Sequence, residues 1–114
     1  MAGRNDDPRN PLLPGILDML VLRTLTLGSL HGYGIARHIE QTSGDRLRIE
    51  EGSLYPALQR LLVRGWVTSR WETSSTSRRA RYYELTEDGH RQLAQVVSSF
   101  DQMVAAVAAV MQTG

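Results

Sequence analysis

The chain has 114 residues, of which 41% are hydrophobic, 13 are basic and 12 are acidic, giving a formal net charge of +1. This length suits one domain with a modest core, and the ordinary apolar content excludes a chain that is disordered throughout. Because cysteine is absent, the chain can form neither a disulfide framework nor a thiolate zinc site. The longest apolar run, Met103 to Met111, is far shorter than the roughly 20 residues that span a bilayer. The N-terminal sequence lacks the basic-then-apolar order of a secretory signal, so we expect a cytoplasmic protein without a membrane partner.

Positive charge is concentrated in one short segment. Every basic residue is arginine, which base-composition bias in the gene explains most simply, so the distribution of charge is more informative than the residue type. Residues 60–81 contain six arginines and a single acid, Glu72, whereas residues 1–59 and 82–114 carry net charges of −1 and −3. A nearly neutral chain therefore concentrates its positive field in one place.

The first half of the chain predicts a tail, two helices and a short strand. Residues 1–11 are polar and contain two prolines, which favours a flexible N-terminal tail. Residues 14–28 predict a helix of about 13 residues that is apolar on most of its circumference, so we expect it to be covered on two sides. A second helix follows over 31–44, and the alternation of Leu47 and Ile49 with charged residues predicts a very short strand.

The second half predicts a helix, a β-hairpin and a long helix. The third helix is expected over 53–65. Two segments rich in β-branched and aromatic residues, 66–72 and 80–85, flank a Ser/Thr-rich loop and predict the hairpin. A final helix, capped by Thr86, is expected to run to about Met111 and to be roughly 38 Å long.

The third helix is expected to have one apolar and one polar side. Leu54, Leu58 and Leu61 cluster on the apolar side, while Ser53 is expected as the N-cap and Pro56 in the first turn. The other side carries Ser53, Pro56, Ala57, Gln59, Arg60, Val63 and Arg64. It is small and polar where the helix begins and basic further on, as a helix presented to the major groove of DNA needs to be.

Individual side chains on this polar side suit DNA contacts. Gln59 can pair bidentately with adenine and Arg60 with guanine, while Ser53 and Tyr55 suit phosphate or sugar. An ordinary solvated helix face is the alternative interpretation. The adjacent acids at 50 and 51 count against DNA, unless they lie aside and stabilise the helix start.

The hairpin strengthens the DNA interpretation. Its loop ends in Arg78, Arg79 and Arg81, which place three positive charges at an exposed turn. Such a turn can reach the DNA backbone or a neighbouring minor groove, whose negative potential attracts arginine. A basic helix followed directly by a basic hairpin predicts a winged helix-turn-helix within a mainly α fold.

Three linked motifs resemble the PadR family of bacterial transcriptional regulators. They are LHGYGI (30–35), EGSLYPALQRLLVRGW (51–66) and RRARYYELTEDG (78–89), and the resemblance covers roughly residues 13–93. It implies a winged-helix DNA-binding domain, placed here at 12–85, and a C-terminal dimerisation helix at 86–114. It also implies a repressor that leaves operator DNA when an effector arrives, although the sequence does not identify that effector.

Carried over by position, the resemblance makes Tyr33, Ser53, Tyr55 and the basic hairpin DNA contacts. Half-buried tyrosines with hydrated hydroxyls are an equally good interpretation of Tyr33 and Tyr55. Trp66 stands where an aliphatic residue is more usual, and we expect it to pack under the hairpin.

The final helix carries a seam of apolar residues at steps of 4, 3, 4, 3 and 4, namely Leu93, Val97, Phe100, Val104, Val107 and Met111. Such a seam is typical of helix pairing. A helix of this length outreaches its domain, so the far half would expose the seam unless a partner covered it. We expect a symmetric homodimer in which this helix and the first one, through Ile16, Met19 and Leu20, meet their copies. Folding of the seam back over its own domain is the alternative.

Neither an enzyme nor a metal protein is expected. His31 and His38 lack the spacing of a ligand pair, and no carboxylates are paired for acid–base chemistry. The expectation is therefore a homodimer that binds double-stranded DNA at a pseudo-palindromic operator, with no cofactor. The competing hypothesis is a winged-helix dimer that binds a ligand or a protein and recognises no operator.

Overall fold

Four α-helices and a three-stranded antiparallel sheet confirm the expected mainly α fold with a β-hairpin. The structure, a computed structural model, describes residues 15–73 and 75–113, so the predicted tail at 1–11 and the proline at 14 lie outside the described residues. The elements are α1 (Ile16–Thr24), a short 3₁₀ turn (Leu25–Leu27), β1 (Leu30–His31), α2 (Gly32–Thr42), α3 (Glu51–Val63), β2 (Val67–Thr73), β3 (Arg79–Leu85) and α4 (Glu87–Met111).

The short strand lies elsewhere than the alternation predicted. β1 forms at Leu30–His31 and pairs with β3, which gives the sheet the order β1-β3-β2. Leu47 makes an isolated β-bridge, but no strand forms over 47–49. The backbone N–H of Ile49 donates instead to the Glu40 carboxylate at 2.9 Å, and that of Leu47 donates to the Ser43 hydroxyl at 3.1 Å. Side chains at the end of α2 thus bind the donors that a strand would offer to a neighbouring strand.

Helix α3 begins two residues earlier than predicted. The backbone N–H groups of Ser53 and Leu54 both donate to the carbonyl of Glu50, which is the N-cap residue. Ser53 therefore lies in the first turn and is not the N-cap, and Pro56 lies in the second turn, inside the helix. Proline has no N–H to donate, so the helix lacks one bond to the carbonyl of Gly52.

The core is built where α1, α2 and α3 meet the sheet and the start of α4. Leu22, Ile35, Leu54, Leu58 and Leu61 are its largest fully buried side chains, with Val21 and Val67. Ala57, which the sequence placed on the polar side of α3, is fully buried. The prediction for Ala57 was wrong because α3 packs against both α1 and α2, which covers more of its circumference than one leucine face.

The start of α4 is fixed to the base of the hairpin, as its predicted cap requires. The Thr86 hydroxyl accepts a hydrogen bond from the N–H of Gly89 at 2.9 Å and donates one to the carbonyl of Gly65 at 2.8 Å. The backbone N–H of Thr86 donates to the carbonyl of Trp66 at 3.1 Å. Gly89 is buried against the base of the hairpin, where a Cβ would collide with the Trp66 carbonyl and lie 2.6 Å from Leu85 Cδ1. The direction of α4 thus depends on a residue without a side chain.

The far half of α4 extends beyond the domain. The protein measures 59 × 34 × 23 Å, and every described residue from Val97 onward is exposed. By length and composition alone, Glu87–Gln112 is also apolar enough to cross a membrane, which the count of uninterrupted apolar runs did not indicate. Helices that pair with other helices in water-soluble proteins can have the same length and composition.

Substitution of Gly89 tests the close contact between α4 and the hairpin. Gly89→Ala should lower the free energy of unfolding by at least about 2 kcal/mol, because backbone must move to admit the methyl group. Gly52→Ala is the matched control: it lies in a helix with open space around it, and it should be neutral or stabilising by up to about 1 kcal/mol. Urea unfolding measures both, and equal effects would contradict the proposed contact.

Candidate nucleic-acid interface

An open groove of about 730 Å³ lies between the starts of α2 and α3 and the hairpin. We call the hairpin, residues 67–85, the wing and this cavity the wing groove. The groove is lined by His31, Gly32, Tyr33, Tyr55, Trp71, Thr76, Arg78, Arg79, Ala80, Arg81 and Tyr83. Aromatic rings and arginines therefore line the same surface.

The start of α2 is shaped so that it brings two tyrosines to this groove. His31 is the N-cap, and its Nδ1 accepts a hydrogen bond from the N–H of Gly34 at 2.9 Å. Gly32 is buried beneath the ring of Tyr55, and a Cβ there would lie 2.8 Å from the tyrosine oxygen. Tyr33 follows and points outward with 70% of its surface exposed. The HGYG sequence thus caps a helix, admits the Tyr55 ring and presents the Tyr33 ring.

The two faces of the wing differ in charge. Cross-strand partners share a face, and the register pairs Ser69 with Tyr83, Trp71 with Arg81 and Thr73 with Arg79 on the groove face. On that face the Arg79 guanidinium lies 5.2 Å from the centre of the Trp71 ring. Arg81 lies 5.7 Å from the centre of the Tyr83 ring, and its Nε donates to the Ser69 hydroxyl at 2.8 Å. Both arginines are held by neutral groups, and among the described residues neither forms an ion pair, so their charge remains uncompensated there.

The opposite face neutralises its arginine. Arg70 donates to the Glu72 carboxylate and, at 2.9 Å, to that of Glu84. These hydrogen bonds, the one to Glu72 first, raise the pKa of the Arg70 guanidinium. The sequence analysis counted Arg70 within the basic segment, but two carboxylates balance its charge. The positive field of the wing therefore lies on the groove face.

Arg60 is directed away from the groove. Its Nε and Nη2 donate to both oxygens of Asp18 on α1, at 3.2 and 2.7 Å, and this pairing raises the pKa of the guanidinium. At about 100° per residue, Arg60 lies roughly 140° around α3 from Tyr55, which borders the groove. The pairing with Asp18 thus holds the Nε–Nη2 edge of the guanidinium toward α1.

The predicted DNA contacts therefore fall into two groups. Those that line the wing groove are Tyr33, Tyr55, Arg78, Arg79 and Arg81. Ser53, Pro56 and Gln59 are exposed on α3 outside the groove lining, and the Arg64 guanidinium lies 5.3 Å from the centre of the Trp66 ring. Sequence analysis missed Trp71, because the strand register that places it opposite Arg81 is not specified by the hairpin pattern alone.

Most of the predicted dimer residues are exposed. Val97, Phe100, Val104, Val107 and Met111 are 37–77% exposed along α4, and Ile16, Met19 and Leu20 on α1 are partly buried. Leu93 needs correction, because it is 8% exposed and packs into the core of its own protomer. The exposed seam therefore begins at Val97, where α4 leaves the domain.

The described ranges contain no group of three or more His, Asp or Glu side chains that could hold a metal ion.

Comparison with known proteins decides the family. The sequence model of the transcriptional regulator PadR-like family matches residues 21–95, which include the wing and the start of α4. The chain belongs to the PadR-like family of transcriptional regulators.

Relatives and solved structures agree with this membership. An uncharacterized protein from Lysinibacillus sphaericus is 25% identical over 95 residues, which cover 83% of this chain and 87% of the relative. The negative transcriptional regulator PadR of Bacillus subtilis (strain 168) is 28% identical over 78 residues, which cover 68% of this chain but 43% of that protein. The family and its structural neighbours are transcriptional regulators rather than enzymes.

Two solved structures show the same winged-helix fold. A PadR family transcriptional regulator from Eggerthella lenta superposes with a TM-score of 0.77 at 28% identity, covering 88% of this chain and 85% of that one. A transcriptional regulator from Clostridium thermocellum gives a TM-score of 0.76 at 26% identity, covering 82% of this chain and 91% of that one.

The burial of Tyr83, which lines the wing groove, predicts how the free energy of unfolding changes in alkali. Burial raises the pKa of its phenol above the ordinary value of 10.0, against an opposing effect of Arg81. A raised folded-state pKa stabilises the fold below pH 10, and this contribution is lost as the pH rises past 10 toward the folded-state value. Urea unfolding of the wild type and Tyr83→Phe from neutral to alkaline pH should diverge above pH 10, with the wild type losing more stability. Parallel curves would contradict the burial of this hydroxyl.

Proposed function

We propose that this PadR-like regulator is a cytoplasmic homodimer that binds a specific, pseudo-palindromic DNA operator and represses transcription until an effector releases it. The observation that carries the DNA part is the asymmetric wing. Its groove face joins Arg79 and Arg81 to the start of α3, whereas the opposite face balances Arg70 with two carboxylates. A surface arranged in this way directs one side of the winged helix toward a polyanion.

Within this proposal, the wing and α3 have different tasks. Arginine forks and tyrosine hydroxyls in the wing groove suit phosphate and sugar, which position the protein on the duplex without reading sequence. Gln59 lies exposed on α3, and its amide suits the paired donor and acceptor of adenine. Because the Arg60 guanidinium is paired with Asp18 on α1 and directed away from the groove, we assign the first base contact to Gln59.

The exposed seam of α4 supports the homodimer. Burying each valine, phenylalanine or methionine of the seam contributes about 1.5–3 kcal/mol when the side chain is fully covered. Val104, Val107 and Met111 are at least 49% exposed in the protomer, so a second copy has apolar surface to cover. α1 packs on α4, and Ile16, Met19 and Leu20 on α1 are only partly buried, so we propose that they extend the interface.

A dimer also supplies the geometry that operator recognition and release require. Two winged helices held by one interface would sit about 34 Å apart, one turn of DNA, on half-sites related by a two-fold axis. An effector that changes the angle between the helices of the interface would spoil that spacing and release the DNA. The name of the Bacillus subtilis relative, a negative transcriptional regulator, supports repression as the direction of control.

The decisive experiment compares specific with nonspecific DNA. Binding of the full chain to the promoter region upstream of its own gene should exceed binding to a scrambled duplex by 100-fold or more at about 0.15 M salt. Fluorescence anisotropy of labelled duplexes measures both affinities. A ratio near one would instead favour the competing hypothesis, a winged-helix dimer that binds a ligand or protein.

The two kinds of DNA contact predict different mutant behaviour. Gln59→Ala should weaken specific binding by about 1–3 kcal/mol and relax base preference at one operator position. Arg81→Ala should weaken binding to every duplex and reduce the slope of log affinity against log salt by about one unit. Titrations on operator variants at several salt concentrations distinguish the two. Equal losses on all sequences for both variants would refute this division.

The dimer predicts a position-dependent effect of charge on α4. Val107→Asp places a carboxylate in the apolar seam and should yield monomers at micromolar concentration, because a buried unpaired charge is strongly unfavourable. Gln102→Asp puts the same charge on the opposite side of the helix and should leave the dimer intact. Sedimentation velocity gives the mass of each. A wild-type chain that sediments as a monomer would contradict the dimer outright.

A further inference from the structure

Trp71 is the exposed aromatic residue that the fold alone does not explain. The side chain is 59% exposed on the groove face of β2, where it is not part of the core. Trp66, the second tryptophan of the chain, packs partly buried against the core. A large aromatic ring that is exposed to water beside arginines is typical of a binding surface, because covering the ring with a partner removes apolar surface from water and is favourable.

The Trp71 ring holds a particular arginine. The Arg79 guanidinium lies 5.2 Å from the ring centre, within the range of a cation–π contact. Such a contact takes up no N–H donor of the guanidinium in a hydrogen bond to a carboxylate, so these donors remain available to an anion. Arg60 and Arg70 differ, because carboxylates accept from their N–H groups. Within residues 15–73 and 75–113, Arg79 forms no ion pair with a carboxylate, so its charge is available to an anion.

Trp71 and Arg79 both line the wing groove. Trp71 lies directly opposite Arg81 in the strand register, and Arg79 opposite Thr73, one step toward the tip of the hairpin. Across the groove stands Tyr33, which is 70% exposed. The stack therefore forms the outer wall of a groove whose inner wall is the starts of α2 and α3.

We propose that Trp71 is a DNA-backbone contact and the positioning residue of Arg79. The indole packs against deoxyribose and fixes the guanidinium above it, so that the two outward N–H groups meet one phosphate as a fork. An arginine that is already held loses less side-chain entropy on binding than a mobile one, which raises affinity without a new contact. This inference rests on the proposed DNA-binding function.

The test uses the full chain and the duplex that carries its own promoter. Trp71→Leu, which keeps apolar bulk but has no π face, should weaken binding about tenfold, whereas Trp71→Phe should stay within about threefold of wild type. In an Arg79→Ala background, Trp71→Leu should cost much less, because the arginine it positions is gone. Arg70→Gln, on the opposite face next to Trp71, is the control and should change affinity less than twofold.

Fluorescence provides a readout that a merely structural role would not change. DNA should quench tryptophan emission of the wild type, and Trp71→Phe, which leaves only Trp66, should lose most of that quenching. Thermal unfolding should show that Trp71→Leu and Trp71→Phe are equally folded.

The outcomes separate the two hypotheses. Specific binding by the wild type with equal affinities for Trp71→Leu and Trp71→Phe would overturn the role of Trp71 while leaving the DNA-binding function intact. Additive losses in the Arg79→Ala background would overturn the positioning role. Absence of specific binding by the wild type would overturn the proposed function, and this inference with it.

Discussion

The pairing register of β2 with β3 decides which side chains the wing offers to a partner. A shift of β2 by one residue against β3 would move Trp71 to the opposite face and bring Arg70 and the Glu72 carboxylate to the groove. The register is fixed at the base of the hairpin, where Val67 and Tyr83 are buried in the core. The packing of the core therefore determines which charged side chains the wing presents at its surface.

The arginines of this chain are distinguished by their partners rather than by their number. Arg70 and Arg60 are balanced by carboxylates, so they contribute little to the field felt by an approaching anion. Arg79 and Arg81 are held by rings and a hydroxyl, which orient the guanidinium without cancelling its charge. A net charge of +1 is thus compatible with a strongly directional positive surface.

Local patterns predicted much of the fold and part of the candidate site. The cap at Thr86, the two hairpin strands and the basic turn could be read from residues that are neighbours in sequence. Contacts between distant residues could not. β1 is a strand because its two residues pair with the edge of β3, and a sequence of two residues cannot indicate that pairing. The Arg60–Asp18 ion pair joins positions that are 42 residues apart in the chain. Trp71 was missed for another reason: its face follows from the register, which the hairpin pattern alone left unspecified.

The most direct test of the account observes the two faces of the wing while DNA binds. Nuclear magnetic resonance of the labelled full chain resolves the indole N–H of Trp71 and the Nε–H groups of individual arginines. During titration with the operator duplex, the signals of Trp71, Arg79 and Arg81 should shift strongly, while that of Arg70 on the opposite face should remain nearly unchanged. An equal or larger shift of Arg70 would mean that the carboxylate-balanced face meets DNA, and it would contradict the account.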